Sequence, residues 1–172
     1  TSVVLWTRLA PDPLDPETGG MAAQPVMVHW ELARDPDFRH VIQRGDVVAL
    51  PEAAHTVHVL AQDLAPDRWY WYRFTADGVR SRVGRTRTMP PPGAKPDVMR
   101  FAFASCQSWA GGPYPAYRDM AEQDLDFVVH LGDYIYETAN GSLTEFRRLH
   151  ALYKTSPDLR AAHARFPFFL TW

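Results

Sequence analysis

The chain has little cysteine, no long apolar run and no excess of either charge, and each shortage closes off a class of protein. One cysteine, Cys106, excludes an intrachain disulfide, so stability comes from packed cores and the thiol is left for chemistry or burial. No apolar run approaches the ~18 residues of a membrane span, and the opening Thr1-Ser-Val-Val-Leu-Trp-Thr-Arg8 lacks the regions of a signal peptide. The missing initial methionine reads as a processed or excised segment, with any export signal lost from view. The net charge of −2 is spread evenly, with ten Lys and Arg against eleven Asp and Glu in residues 1–92, and eight against nine in residues 93–172. Neither half is an electrostatic magnet for nucleic acid or a membrane surface.

What is present is apolar: 46% of the 172 residues are hydrophobic and 13% aromatic, enough to build packed cores in one domain or two. The first ninety residues read as short alternating strands between Gly, Pro and Asp clusters, the pattern of an antiparallel sandwich. The candidate strands are 3–9, 26–32, 40–50 with a bend near Gly45, 55–60, 69–75 and 80–88. Along Trp69-Tyr-Trp-Tyr-Arg-Phe74, alternation places Tyr70, Tyr72 and Phe74 on one face and Trp69, Trp71 and Arg73 on the other, one face being core and the other partly wet. The stretch Leu64-Ala-Pro-Asp-Arg-Trp-Tyr70 resembles the corner of fibronectin type III and immunoglobulin-like modules, which implies that the Tyr70 hydroxyl bonds back to the preceding turn. Met89-Pro-Pro-Pro-Gly-Ala-Lys-Pro96 then breaks the pattern, since prolines remove backbone donors and favour extended geometry. The predicted organisation is a β-sandwich over 1–89, a Pro-rich linker over 90–97 and an α/β segment over 98–172. In the last segment a strand (98–105), helix (115–123), strand (126–132) and helices (143–153 and 157–165) imply a parallel sheet covered by helices. Ser156-Pro157 supplies an N-cap and a first-turn proline.

The chemistry sits at two strand ends. In a βαβ unit, strands 98–105 and 126–132 run side by side, and the crevice beyond their carboxyl ends is where open α/β sheets bind ligands. Cys106 closes the first strand and Asp133 follows the second, ~4.8 Å away if the strands are neighbours. Tyr136 joins them if the loop turns after Gly132, whereas Tyr134 packs. Ionising a free cysteine and a free tyrosine at pH 7 costs roughly 6 kcal/mol, so only a highly charged cation offsets it. Thiolate, phenolate and carboxylate together suit a ferric ion better than magnesium, and a second, harder divalent ion sharing Asp133 would make a two-metal site. Other residues carry plainer readings. His130 is read as a satisfied buried histidine, Glu137 as structural, Gly111-Gly112-Pro113 as a plain loop, and Arg80, Arg82, Arg85 and Arg87 as a solvated basic face. The histidines at 29, 40, 55, 58, 150 and 163 show no shared metal spacing.

Ser105-Cys106-Gln107, Gly112-Pro-Tyr-Pro-Ala-Tyr117 and above all Leu131-Gly-Asp-Tyr-Ile-Tyr-Glu137 resemble the PhoD family of alkaline phosphatases and phosphodiesterases. The resemblance extends to Val3-Val-Leu-Trp-Thr-Arg-Leu9 and the tyrosine-rich strand. It implies a fibronectin-like sandwich followed by the first part of a metallophosphatase-like α/β (αββα) domain. It also implies a secreted, periplasmic or cell-envelope hydrolase of phosphate mono- or diesters, with nucleic acid only as a possible substrate. One ferric ion and additional calcium ions are the implied metals, with a cysteine, an aspartate and a tyrosine of the ferric site falling on Cys106, Asp133 and Tyr136. No side chain is the implied nucleophile; a metal-activated hydroxide is. The family continues beyond a segment like Phe168-Phe-Leu-Thr-Trp172 into further Asp, His and Asn ligands, so this chain alone is expected to be inactive and prone to aggregate. The competing expectations are a noncatalytic adhesion module built on the sandwich, and another metallophosphatase with different ions.

Overall fold

The computed structural model describes residues 1–15, 17–136 and 141–172, so the reading of Glu137 as structural lies outside the described residues. Two compact units emerge, one of Thr1–Ala10 and Met21–Asp97, the other of Pro11–Gly20 and Val98–Trp172. No described helix is long and apolar enough to cross a membrane.

The first unit is all β. Strands β1 (Val3–Arg8) and β4 (Thr56–Ala61) form an antiparallel pair, while β3 (Val41–Ala49), β2 (Val26–Ala33) and β5 (Trp69–Ala76) form a sheet whose last strand also pairs β6 (Val79–Arg80) and β7 (Gly84–Arg87). Both sheets bury their inward residues in one cluster, including Leu5 and Val59 from the pair and Val28, Leu32, Tyr70 and Phe74 from the larger sheet. The alternation expected of β5 is observed: Tyr70 and Phe74 are buried and Tyr72 packs against the cluster, while Arg73 on the other face bonds Glu31 at 2.6 Å. The single strand expected over 80–88 is instead two. Ser81 keeps one backbone bond to β5, its N–H donating to the Phe74 carbonyl at 2.9 Å, but its hydroxyl accepts the Phe74 N–H at 3.0 Å and donates to the Arg82 carbonyl at 2.8 Å. Nor does β3 break at Gly45. The glycine faces Trp30, where an added Cβ would sit 2.9 Å from the indole nitrogen, so it makes room for a ring. The irregularity lies near the start of β3, where Ile42 is the extra residue opposite the Leu32–Ala33 step of β2.

Ahead of β5 the Tyr70 hydroxyl donates to the Ala65 carbonyl at 3.3 Å, the bond expected of that residue. Thr88 reinforces the corner: its hydroxyl donates to the same carbonyl at 2.7 Å and accepts the Arg68 N–H at 3.0 Å. Two of the run's arginines are committed to this region, Arg85 lying 3.8 Å from the Trp69 ring centre and Arg87 paired with Asp67. That half of the basic run is a stacked and ion-paired face, not simply a solvated one.

The second unit is a three-stranded parallel sheet with helices on one face. Its elements are β8 (Phe101–Ala104), α1 (Pro115–Glu122), β9 (Phe127–His130), α2 (Leu143–Tyr153), α3 (Pro157–Arg165) and β10 (Phe168–Leu170), and the strand order is β10-β9-β8. Helix starts are set by Ser142, accepting the Glu145 N–H, and Ser156, accepting that of Leu159 before Pro157. Alternation gives the sheet two faces. Val128 and His130 are fully buried on the one toward which Ala104 and Phe168 pack against Tyr114, Tyr117, Leu159 and Ala162. The opposite face carries Phe101, stacked on Phe127 at 5.2 Å between ring centres, with Phe169 edge-on to Phe127 at 5.5 Å and Phe103 at 66% exposure. Rings left in water on this scale forgo about 1.5–3 kcal/mol each.

Three outcomes are expected. Thr88→Val should lower the free energy of unfolding by about 1–2 kcal/mol in urea titrations, because it strips the Arg68 N–H of its acceptor. Tyr70→Phe should lower it by only about 0.5–1 kcal/mol, because the Ala65 carbonyl keeps its bond from Thr88. Phe103→Asp should reduce concentration-dependent light scattering of the chain, since it places a charge in the bare aromatic face.

Candidate metal centre

Because β8 and β9 are parallel neighbours, their carboxyl ends lie at the same edge of the sheet. Pairing persists beyond the strands. Leu131 N–H donates to the Ala104 carbonyl at 2.8 Å, Cys106 N–H to Gly132 at 3.1 Å and Gln107 N–H to Asp133 at 3.2 Å. The two loops therefore run side by side, and each turns at its candidate ligand: φ is +56° at Cys106 and +52° at Asp133. These left-handed conformations are unfavourable for residues with a side chain, by about 1–2 kcal/mol. Gly132 at φ +124° is obligatory in another sense, since an added Cβ would lie 2.4 Å from the Trp172 carbonyl oxygen.

The turns bring three acidic side chains together. Cys106 Sγ lies 3.7 Å from Asp133 Oδ2, and the Tyr136 hydroxyl donates to the same oxygen at 3.0 Å. All three residues are exposed. The hydrogen bond with Cys106, then desolvation, then the bond to and charge of Asp133 push the Tyr136 phenol well above its ordinary range. The shift favours the protonated phenol, which is the form that donates to Asp133. Among the described residues no group of three or more His, Cys, Asp and Glu side chains forms a metal site, so this cluster depends on its phenol as third donor.

Tyr134 packs, as expected. It is buried, and its hydroxyl lies 2.8 Å from His163 Nε2. His130 is buried too, edge-on to Tyr134 at 5.0 Å, yet neither ring nitrogen has a hydrogen-bond partner among the described residues, which corrects the expectation of a satisfied histidine. Sequence spacing gave no sign of what lies behind the site. Lys154, His150 and His163 surround Tyr134, and the Tyr153 hydroxyl accepts the Tyr136 N–H at 3.2 Å. These residues come from two helices distant in sequence, so no local motif announces them.

Two family models match the chain: that of the PhoD-like phosphatase N-terminal domain over residues 1–90, and that of PhoD-like phosphatase over residues 101–172. The chain belongs to the PhoD-like phosphatase family. It is 48% identical to alkaline phosphatase D of Bacillus subtilis (strain 168) over 189 aligned positions, which take in 99% of this chain and 32% of that protein. A solved structure of PhoD superposes with a TM-score of 0.95 at 46% identity, covering 99% of this chain and 36% of that one. The chain thus spans about a third of the length of these family relatives.

The bases around Tyr134 give this PhoD-like chain an acid-sensitive region. Burial, with the Lys154 charge as a lesser cause, holds His150 down to about 4 and His163 to about 3, and burial holds Lys154 down to about 8. A base depressed in the folded state is protonated first in the unfolded chain. The histidines' stability is therefore intact above their unfolded value of 6.5 and is lost as pH falls from there toward 4. Lys154 works the same way between pH 10.5 and 8, where stability falls as pH falls. Urea unfolding at pH 7 and pH 5.5 should show a loss of about 1–2 kcal/mol per pH unit from the histidine pair. His163→Gln, which keeps a hydrogen-bonding side chain but does not titrate, should flatten that slope by about half.

Proposed function

We propose that this chain is part of a metal-dependent phosphoric ester hydrolase, with Cys106, Asp133 and Tyr136 as ligands of a ferric ion and further sites for calcium completed by residues it does not carry. The observation that carries this reading is the convergence of a thiol, a carboxylate and a phenol within 3.0–3.7 Å contacts at the ends of two paired parallel strands. The first unit is read as a fibronectin III/immunoglobulin-like sandwich (1–89), joined by a Pro-rich linker (90–97) to the start of an αββα metallophosphatase domain (98–172). Membership of the PhoD-like family over both segments supports a phosphate mono- or diester substrate, and a place outside the cytoplasm, over the noncatalytic adhesion module.

The donor set fits the ion on chemical grounds. Sulfur and phenolic oxygen are poor partners for magnesium, whereas three anions match a trivalent charge. Bound there, ferric iron supplies Lewis acidity for displacement at phosphorus. The chain's own residues do the rest. Asp133 Oδ2 accepts the Tyr136 O–H and lies within contact of the Cys106 sulfur, so one carboxylate oxygen is shared by both acidic partners. Tyr153, buried on α2, holds the Tyr136 backbone through its hydroxyl and so fixes the phenol's approach. Loading requires the thiol and phenol protons to leave, so affinity rises with pH.

The test uses this chain and a chimera in which it replaces its counterpart in alkaline phosphatase D. Ferric nitrilotriacetate added to the chain should give a visible phenolate-to-iron absorption that Tyr136→Phe abolishes. The chain alone should hydrolyse neither p-nitrophenyl phosphate nor bis-p-nitrophenyl phosphate above a metal blank. The chimera should hydrolyse at least one of them, and Cys106→Ala should reduce that rate by roughly a hundredfold or more. A chimera indifferent to Cys106→Ala and Asp133→Asn would remove the ligand assignment.

A further inference from the structure

We infer that Gln107 is the positioning residue of the candidate metal centre, clamping the turn that carries Cys106 to the turn that carries Asp133. The inference rests on the ligand reading of those two residues and adds to it a residue that touches neither metal nor substrate. Gln107 follows Cys106 directly and is 7% exposed. Its backbone N–H donates to the Asp133 carbonyl at 3.2 Å, and its side-chain Nε2 donates to the Tyr134 carbonyl at 2.8 Å. One residue thus binds two successive carbonyls of the facing turn, starting at the candidate ligand itself.

The amide's orientation is fixed from behind. A carbonyl accepts only a donor, so Nε2 must face Tyr134, which leaves Oε1 for the Tyr117 hydroxyl at 2.6 Å. The Tyr114 hydroxyl approaches the Gln107 carbonyl at 3.5 Å, and both tyrosines are buried in the aromatic cluster at the start of α1. The helix that follows is therefore wired to the gap between the two candidate ligands through a single amide. The clamp has something to resist, because both turns hold a side-chain-bearing residue at positive φ and relax toward ordinary backbone if released. Outer-shell hydrogen bonds of this kind set where first donors stand.

The experiment compares the unsubstituted chain with Gln107→Glu, Gln107→Ala and Tyr117→Phe, reading amide hydrogen exchange without metal and ferric nitrilotriacetate affinity from the visible band. Gln107→Glu is nearly isosteric but cannot donate to the Tyr134 carbonyl, so it separates hydrogen bonding from space filling. Exchange at the Cys106 and Gln107 amides should quicken about tenfold in Gln107→Glu and Gln107→Ala, the equivalent of one hydrogen bond. Ferric affinity should fall about 10- to 100-fold in the same two variants. Tyr117→Phe, which leaves the amide in place but unbraced, should give a smaller loss of the same sign, and it decides the matter if the Gln107 variants do not fold. If the unsubstituted chain takes up no ferric ion while the amides respond, the ligand reading falls and the clamp between the turns stands. Iron bound equally well by the chain and its folded variants overturns the positioning role while leaving the ligand reading intact. Amides that do not respond overturn the clamp itself.

Discussion

The side-by-side pairing of β8 and β9 is the constraint on which the site depends. Two parallel strands end at one edge, and the bonds from Leu131 to Ala104, Cys106 to Gly132 and Gln107 to Asp133 carry the pairing past the last regular residues. An antiparallel arrangement would put Cys106 and Asp133 at opposite edges. A parallel pair separated by an intervening strand would hold them about 10 Å apart, beyond the reach of a single ion. Everything chemical in the second unit is a consequence of adjacency at one sheet edge.

Much of that adjacency was legible in the sequence because it is local in character. Apolar runs ending in Ser105-Cys106 and Gly132-Asp133, with a helix-length interval between them, specify a parallel pair and the edge at which its loops meet. Tyr70 was legible for a similar reason, since the residue and its acceptor Ala65 are five apart on one turn. What could not be read depends on how the elements pack. Gln107 meets Tyr117 and Tyr134, and Tyr153 meets Tyr136, through contacts that only the packing of α1 and α2 on the sheet creates. Ser81 splitting a strand and Gly45 making room for Trp30 are of the same kind, because the deciding partner lies on another strand. His150 and His163 pack around the Tyr134 ring, a contact that their spacing in the sequence gave no sign of.

The cluster's electrostatics and its backbone point the same way. Three acids within contact distance raise the proton affinity of Tyr136, and two left-handed residues hold the arrangement away from relaxed geometry. The left-handed backbone opposes folding by an amount comparable with one or two hydrogen bonds, whereas the raised phenol, protonated at pH 7 in folded and unfolded chains alike, costs no stability there. Their co-location at a solvent-exposed edge, braced by a buried amide and buried phenols, agrees with the ligand role proposed for these three residues.

The bare aromatic face of the sheet is a separate matter from the site, and the register explains why. Residues alternate across the sheet, so Phe101, Phe127 and Phe103 face away from the layer that braces Gln107 and Tyr136, which consists of α1, α2 and the aromatic side chains between them. Whatever covers Phe103 and Phe169 contributes stability to the sheet as a whole. The hydrogen bonds linking the Cys106 and Asp133 turns run through backbone and through an amide anchored on the helical side. The hydrogen bonds that order the sulfur, carboxylate and phenol thus lie on the helical side of the sheet, away from the exposed rings of Phe101 and Phe103.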